Sequence, residues 1–328
     1  MKIFKKRYVI LAVVLSQFGF AQEGMSVYSD YLTDNYYLIH PSMAGAANCG
    51  QIRVTANQQW SNQDEAPALQ TLSFNTSLGD QSGIGFIAFN DRNGYHSQAG
   101  GKLTYAHHIM FNRYTRGDYD INVLSFGMSA GMVRTVLDET EFGGGYDPII
   151  NGGMEQKDSY FNVDVGVSYQ YLDFNAHFTV KNAVTSKRDM YTDIESDNLR
   201  KYILSAGYVF GTQSNTGWRY EPSLMLQYTE ETEEKGIDVN MKVYRDFDFG
   251  KLWGGVSFRQ NFDGAEFLKD TELKTQRQQY ITPFIGLNYK KFMVAYTYSQ
   301  LTGNVKFDKG GFHQITIGID LLCKSDRY

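Results

Sequence analysis

The chain has 328 residues, with 31 Lys+Arg against 36 Asp+Glu, 24 Tyr, 22 Phe and 32 Gly but only 5 Pro and 2 Cys. This acidic balance leaves no basic patch for nucleic acid, and beyond the first residues no apolar run approaches the ~20 residues of a membrane-crossing helix. Many Tyr, Phe and Gly with few Pro suit strands with aromatic belts and tight turns, where a helical protein would be richer in Leu and Ala.

The first residues read as an export signal. Lys2, Lys5, Lys6 and Arg7 are basic, Tyr8 to Leu15 are an apolar core, and Gly19 and Ala21 stand at −3 and −1 of a cleavage site before Gln22. The core is too short for an anchor, and no Cys follows the site to carry a lipid. Without its four basic residues the mature chain has 27 Lys+Arg against 36 Asp+Glu, a net −9. The expected division is 1–21 signal peptide, 22–50 a non-barrel segment, and 51–328 a barrel. Residues 22–50 are polar, rich in Tyr and interrupted by Pro41, and do not alternate. They suit an irregular plug-like path at the periplasmic mouth; a loose leader is the alternative.

From residue 51 onward apolar residues recur with period two. Phe161, Val163, Val165, Val167, Tyr169 and Tyr171 alternate with Asn162, Asp164, Gly166, Ser168 and Gln170. Trp218, Tyr220, Pro222, Leu224, Leu226 and Tyr228 alternate with Arg219, Glu221, Ser223, Met225 and Gln227. Strands are expected at 51–60, 68–78, 83–90, 95–108, 120–133, 160–171, 174–181, 201–211, 217–228, 237–245, 251–259, 279–289, 292–299 and 312–322. Short turns at 79–82, 172–173, 246–250 and 290–291 interleave with long polar loops at 134–159, 182–200, 229–236, 260–278 and 300–311. A soluble sandwich also alternates, but long strands with short turns on one side and long loops on the other predict an all-β transmembrane antiparallel up-and-down barrel of about fourteen strands. An even count places both termini in the periplasm and the long loops outside. The turn at Leu172-Asp173 would set Ser168 opposite His177 and Asp164 opposite Lys181, giving a polar lumen with matched charges.

Cys49 precedes the first strand and Cys323 ends the last, and these strands are neighbours in a closed barrel. A disulfide stapling the seam and two separate thiols are both open. Ser168 and His177 look like a nucleophile and base, but no orienting acid or oxyanion site accompanies them, so a lumen hydrogen-bond ladder is expected. His107 and His108 point to opposite faces of a strand, and with His96 they lack zinc spacing. The run from Glu230 to Glu234 lacks the pattern of a calcium loop and reads as a solvated face. Gly143-Gly144-Gly145-Tyr146-Asp147-Pro148 would shape a binding surface or merely fill a loop. No metal, cofactor or enzymatic activity is expected.

Tyr28, Tyr31, Asn35, Ile39, Pro41, Ala44 and Gly45 fall in the order of the opening of the PorP/SprF family of outer-membrane proteins. Arg53, Gln59-Trp60, Ala66-Pro67 and Thr71 continue its pattern. The chain resembles that family throughout, most specifically in its first ~130 residues; His40, Ser42, Met43 and Glu65 depart from the pattern. The resemblance implies a multi-pass outer-membrane component of type IX secretion and gliding motility. Its partner would be a protein, a secreted adhesin or an envelope component, exported or held at the surface, with outer-membrane lipid around the barrel. Periodicity alone equally allows a porin-like channel for small solutes.

Overall fold

The computed structural model describes residues 29–59, 66–111, 121–140, 154–184, 186, 199–212, 217–262, 266–269, 272–275, 278–302 and 311–323. Fourteen strands close into one antiparallel barrel. They are β1 (Gly50–Gln59), β2 (Ala68–Leu78), β3 (Ser82–Asn93), β4 (His96–Met110), β5 (Asn122–Asp138), β6 (Glu155–Tyr171), β7 (Phe174–Lys181), β8 (Lys201–Tyr208), β9 (Trp218–Thr229), β10 (Lys235–Phe247), β11 (Gly250–Asn261), β14 (Gln279–Tyr289), β15 (Phe292–Leu301) and β16 (Phe312–Leu321). Between β11 and β14, β12 (Glu266–Lys269) pairs with β13 (Glu272–Thr275) in a separate two-stranded ribbon. Every expected strand has its counterpart. Each barrel strand pairs with its sequence neighbours, and β1 pairs with β16 from Gly50↔Leu321 to Gln59↔Phe312. Closure leaves no unpaired edge, as a sheet in a bilayer requires.

The period-two pattern sorts side chains by face. Leu103, Ile285 and Ile317 are 70%, 55% and 53% exposed on the outside, while Thr55, Ser73, Ser129, Thr297 and Thr316 are buried inside. This inverts a soluble core and gives the apolar exterior that lipid requires. Aromatic pairs mark both ends of the wall. Tyr202 stacks on Phe178 and Tyr228 toward one rim, and Tyr169 stacks on Tyr171 toward the other.

Connection lengths alternate less strictly than the sequence implies. The strands β5 and β6 run on into both ends of the expected 134–159 loop, pairing to Asp138↔Glu155. On the long-loop side β3 and β4 join by a two-residue turn after Asn93↔His96, where Gly94 adopts φ +56°. On the short-turn side β4 and β5 are separated by residues 111–121. The hairpins at Leu172 and Lys290 place non-glycine residues at φ +50° and +53°, the left-handed geometry that matches strand twist. Gly50 and Leu321, the two ends of the barrel wall, pair at the short-turn rim.

The segment before β1 lies inside the barrel. Asp30–Thr33 and Pro41–Met43 form 3-10 turns around a helical turn at Tyr36–Ile39. Pro41 explains the break: a residue before proline is driven to extended backbone, and His40 sits at φ −110°, ψ +102°. Gly45 then turns the chain toward β1 at φ +69°, where a Cβ would lie 2.7 Å from Gly83 Cα.

Candidate functional site

The inward segment and the wall that receives it form the most elaborate constellation of the molecule. The segment descends through the lumen. The Ser29 hydroxyl donates to Gln314 Oε1 at 2.5 Å, three residues into β16 from the long-loop end. The Tyr31 hydroxyl reaches Asp238 Oδ2 at 2.9 Å and Asn240 Oδ1 at 3.1 Å on β10. Asn35 donates to Ser73 Oγ on β2 at 3.2 Å, and the Tyr37 hydroxyl meets Thr104 Oγ1 on β4 at 2.7 Å. His40 bridges β7 and β8, hydrogen-bonded to Thr179 Oγ1 at 2.9 Å and Ser205 Oγ at 3.0 Å. The carbonyl of Ala44 meets His108 Nε2 at 3.0 Å, and the Gly45 N–H donates to Asn75 Oδ1 at 3.0 Å.

Apolar side chains dock beside these bonds. Tyr31, Leu32 and Ile39 pack with Ile203, Met225, Tyr244, Trp253, Phe284, Met293 and Ala295. Tyr37 and Ala44 pack with Ile87 and Ala106 on the facing wall. A uniformly polar lumen is therefore incorrect for half the circumference. The inward positions of β8 to β11, β14 and β15 carry apolar residues because the segment buries its own there. Fully burying a Leu or Ile is worth about 1.5–3 kcal/mol, so Leu32 and Ile39, with the rings of Tyr31 and Tyr37, hold the segment firmly.

Glycines shape the socket. A Cβ on Gly83 would stand 1.9 Å from the Ala44 carbonyl oxygen, one on Gly85 2.3 Å from the Tyr37 hydroxyl, and one on Gly127 2.3 Å from Pro41 and Ser42 backbone. A Cβ on Gly166 would lie 3.1 Å from Pro41 Cδ. These glycines project no side chain into the lumen at the points where the segment's backbone and Tyr37 press against the wall. Glycine inside a strand signals such a close approach, and here four inward positions report it.

Charges are matched inside. Arg259 makes two hydrogen bonds of 2.6 Å to Asp238 and stands 5% exposed. Lys242 pairs with Asp34, and Lys251 lies 3.9 Å from the same carboxylate. Burial alone would raise the Asp34 pKa, but Lys242 and then Lys251 outweigh it and hold the carboxylate below its usual range. Burial pushes His40 well below the usual imidazole value, and His177 and Lys181 push the same way, so it docks neutral. Glu221 accepts from the hydroxyls of Tyr36 and Tyr244.

The expected register at Leu172-Asp173 holds, with Ser168 opposite His177. Ser168 Oγ lies 2.7 Å from His177 Nδ1 and 2.6 Å from Ser42 Oγ, and His177 stacks on His40. Ser168 is only 1% exposed, beneath the segment. Asp164 and Lys181 do face each other, but at 4.0 Å; the close partner of Asp164 is Lys102 on β4 at 2.7 Å. Lys181 instead donates to the Leu38 carbonyl at 3.2 Å. Cys49 and Cys323 are joined in a disulfide at the seam. Among the described residues no group of three His, Cys, Asp or Glu converges as a metal site.

The residues behind the family resemblance divide into two places. Tyr31, Asn35, Ile39, Pro41, Ala44 and Gly45 belong to the inward segment. Arg53 lies in the wall beside it, paired in register with Ser73 and donating to Asp320 at 2.7 Å. Gln59 and Pro67 meet at the far end of the first hairpin through a backbone bond of 2.9 Å. Tyr28, Trp60 and the 143–148 loop lie outside the described residues. Sequence reading missed Lys102, Glu221, Asp238, Arg259 and the glycine socket. Inward register marked every one of them, but nothing in the strands named what they would face.

No curated protein matches the chain. Among solved structures, the chain is similar to the TodX monoaromatic hydrocarbon channel deltaS2 mutant, at 10% identity and TM-score 0.48, covering 87% of this chain and 93% of that one. It is similar to the KdgM porin at 8% identity and TM-score 0.37, covering 82% and 98%. It is also similar to CdiB from Acinetobacter baumannii at 9% identity and TM-score 0.39, covering 83% of this chain but only 60% of that one. Residues 21–319 match the family model of the type IX secretion system membrane protein PorP/SprF, so the chain belongs to that family, and its closed fourteen-stranded barrel fits a multi-pass place in the outer membrane.

Proposed function

We propose that this chain serves type IX secretion as an outer-membrane platform that binds a protein partner, a secreted adhesin or an envelope component, for its export or surface attachment. The observation that carries the reading is the filled lumen. Residues 31–45 are hydrogen-bonded to strands around the wall, sit in a glycine socket and bury Tyr31, Leu32, Tyr37 and Ile39. A porin-like channel for small solutes needs an unobstructed path, which this arrangement opposes. The work of the protein then falls to its surfaces. The short-turn rim faces the periplasm, with both ends of the barrel wall, and the longer loops face outward, following the usual asymmetry of such barrels. The protein acts without catalysis: Ser168 and His177 are consumed in holding Ser42 and the segment, and no cofactor is called for.

Affinity purification from solubilised outer membranes, read by mass spectrometry, tests this. One secreted or envelope protein should be retained in near-stoichiometric amount. A protein that purifies alone, from cells whose secretion and surface adhesins survive deletion of its gene, would sink the reading.

A further inference from the structure

Outside the barrel, over the stretch of wall that receives Pro41, lies a groove of about 350 Å³. Ligand sites span about 300–1,000 Å³. Its floor is low. Val165 and Val167 on β6 and Val180 on β7 point outward, with the backbone of Gly127 and Gly166 between them. Its sides are tall. Phe126 and Met128 on β5 stand in register with the two β6 valines, and Phe178 on β7 stands opposite Val167. The inner face of Gly127 and Gly166 carries Pro41, so the wall there is one layer of backbone thick. One end of the groove is polar. Tyr105 and His107 of β4 line it, and both are exposed. The Tyr105 hydroxyl lies 3.1 Å from Ser82 Oγ. Ser82 is the first residue of β3 and pairs in register with His107. Three polar side chains thus gather at the short-turn rim, on the edge of an apolar wall. Among the described residues the His107 imidazole has no hydrogen-bond or ionic partner. An imidazole facing hydrocarbon is unfavourable unless a polar group meets it.

We propose that this groove holds one phospholipid of the periplasmic leaflet, its acyl chain laid along the valine floor and its phosphate and ester oxygens meeting His107, Ser82 and the Tyr105 hydroxyl. The inference goes beyond the partner-binding reading and rests only on the membrane placement of the barrel, with the short-turn rim in the periplasm. Three observations select that occupant. The groove opens on the apolar exterior, where the surrounding medium is hydrocarbon. It is also concave. A second barrel has a convex wall, which would rest on Phe126 and Phe178 without reaching Val165 and Val167. Last, the polar end supplies an imidazole N–H and two hydroxyls, the complement of acceptor oxygens. A bare alkyl chain would leave these groups unmet. A phospholipid joins chain and acceptors in one molecule, in the order in which the groove presents their partners from wall to rim. Seated there, the chain backs the single layer of backbone against which Pro41 is pressed.

The purified full-length barrel is reconstituted in dioleoyl phosphatidylethanolamine, extracted again into detergent, and followed by native mass spectrometry as washing proceeds. One phospholipid per barrel should outlast the rest. Val167→Phe fills the floor and should lose that lipid. Val294→Phe makes the same change at an exposed position of β15, on the opposite side of the barrel, and should keep it. His107→Ala should release the lipid earlier in the wash. No retained lipid, or lipid lost equally from Val167→Phe and Val294→Phe, overturns the proposal. An alkyl detergent held as firmly as the phospholipid also overturns it, since that shows a surface dent without a headgroup site. A second barrel or another protein that binds the intact chain and is displaced by Val167→Phe names a different occupant, with the same consequence. Val165→Leu repeats the measurement if Val167→Phe fails to insert. The outcome of the partner purification changes none of these readings.

Discussion

The two halves of one lumen are built from the same wall chemistry and differ in how their polar groups are satisfied. In the lower half, Ser168, His177, Thr179, Ser205 and Thr104 all find partners on the inward segment or on each other. In the upper half, Gln227, Thr229, Thr71 and Thr135 find none. The glycines whose side chains would strike the segment, Gly83, Gly85, Gly127 and Gly166, all lie in the lower half. The difference teaches that the wall is moulded to its occupant where residues 30–45 are seated, and that its remaining inward polar groups are buried without that match. A polar lumen is thus not one property but two, a socket that is matched and a buried ring that is not.

The sharpest way to break that contrast is to fill the socket. Gly127→Leu puts a side chain where Pro41 and Ser42 backbone now stand at 2.3 Å. The segment should be expelled, with hydrogen-exchange protection at 36–45 lost and conductance gained; Gly101→Ala, whose nearest neighbour is 3.6 Å away, should leave both unchanged. Next in size is the floor between the halves. Arg259→Met leaves the 1%-exposed Asp238 without its cation, and breaking a buried pair costs about 3–5 kcal/mol. Denaturant titration of the refolded barrel should show that loss, and Asp238→Asn in the same background should restore part of it.

Acidification probes the socket more gently. His40 is held neutral first by burial and then by His177 and Lys181, against the ordinary imidazole value of about 6.5. A depressed pKa means that the released segment binds a proton that the docked one refuses. Docking is therefore fully stable above about pH 6.5 and weakens as pH falls below it. Asp34, also depressed, adds a second loss as pH falls below its usual 3.8. Exchange protection at 36–45 should drop between pH 7 and 5, and His40→Gln should flatten that response. The smallest effect belongs to the upper ring of the wall. Thr71→Val removes a hydroxyl that bonds nothing, so stability should change by no more than about 0.5 kcal/mol; a large loss would show that the hydroxyl is bonded in solution.

Much of this was legible in the amino-acid order. Alternation placed all fourteen strands, and the Leu172-Asp173 turn set Ser168 against His177 because a two-residue hairpin leaves one register. Strand ends were less legible: β5 and β6 extend past the last clear alternation because polar residues pair as readily beyond the lipid zone. The chemistry between distant strands was not legible at all. Asp164 takes Lys102 over its hairpin neighbour Lys181, since barrel curvature brings β4 and β6 side chains together across the intervening β5. Met225, Trp253 and Met293 broke the polar face, and only the docked Tyr31, Leu32 and Ile39 explain why.

Single-channel recording of the intact barrel in planar bilayers at neutral pH tests the central claim most directly, with a variant lacking residues 30–45 beside it. The filled socket predicts no steady open state for the intact protein and large conductance steps for the deletion. Steady conductance through the intact barrel, unchanged by the deletion, would contradict a seated segment and return the protein to the class of open channels.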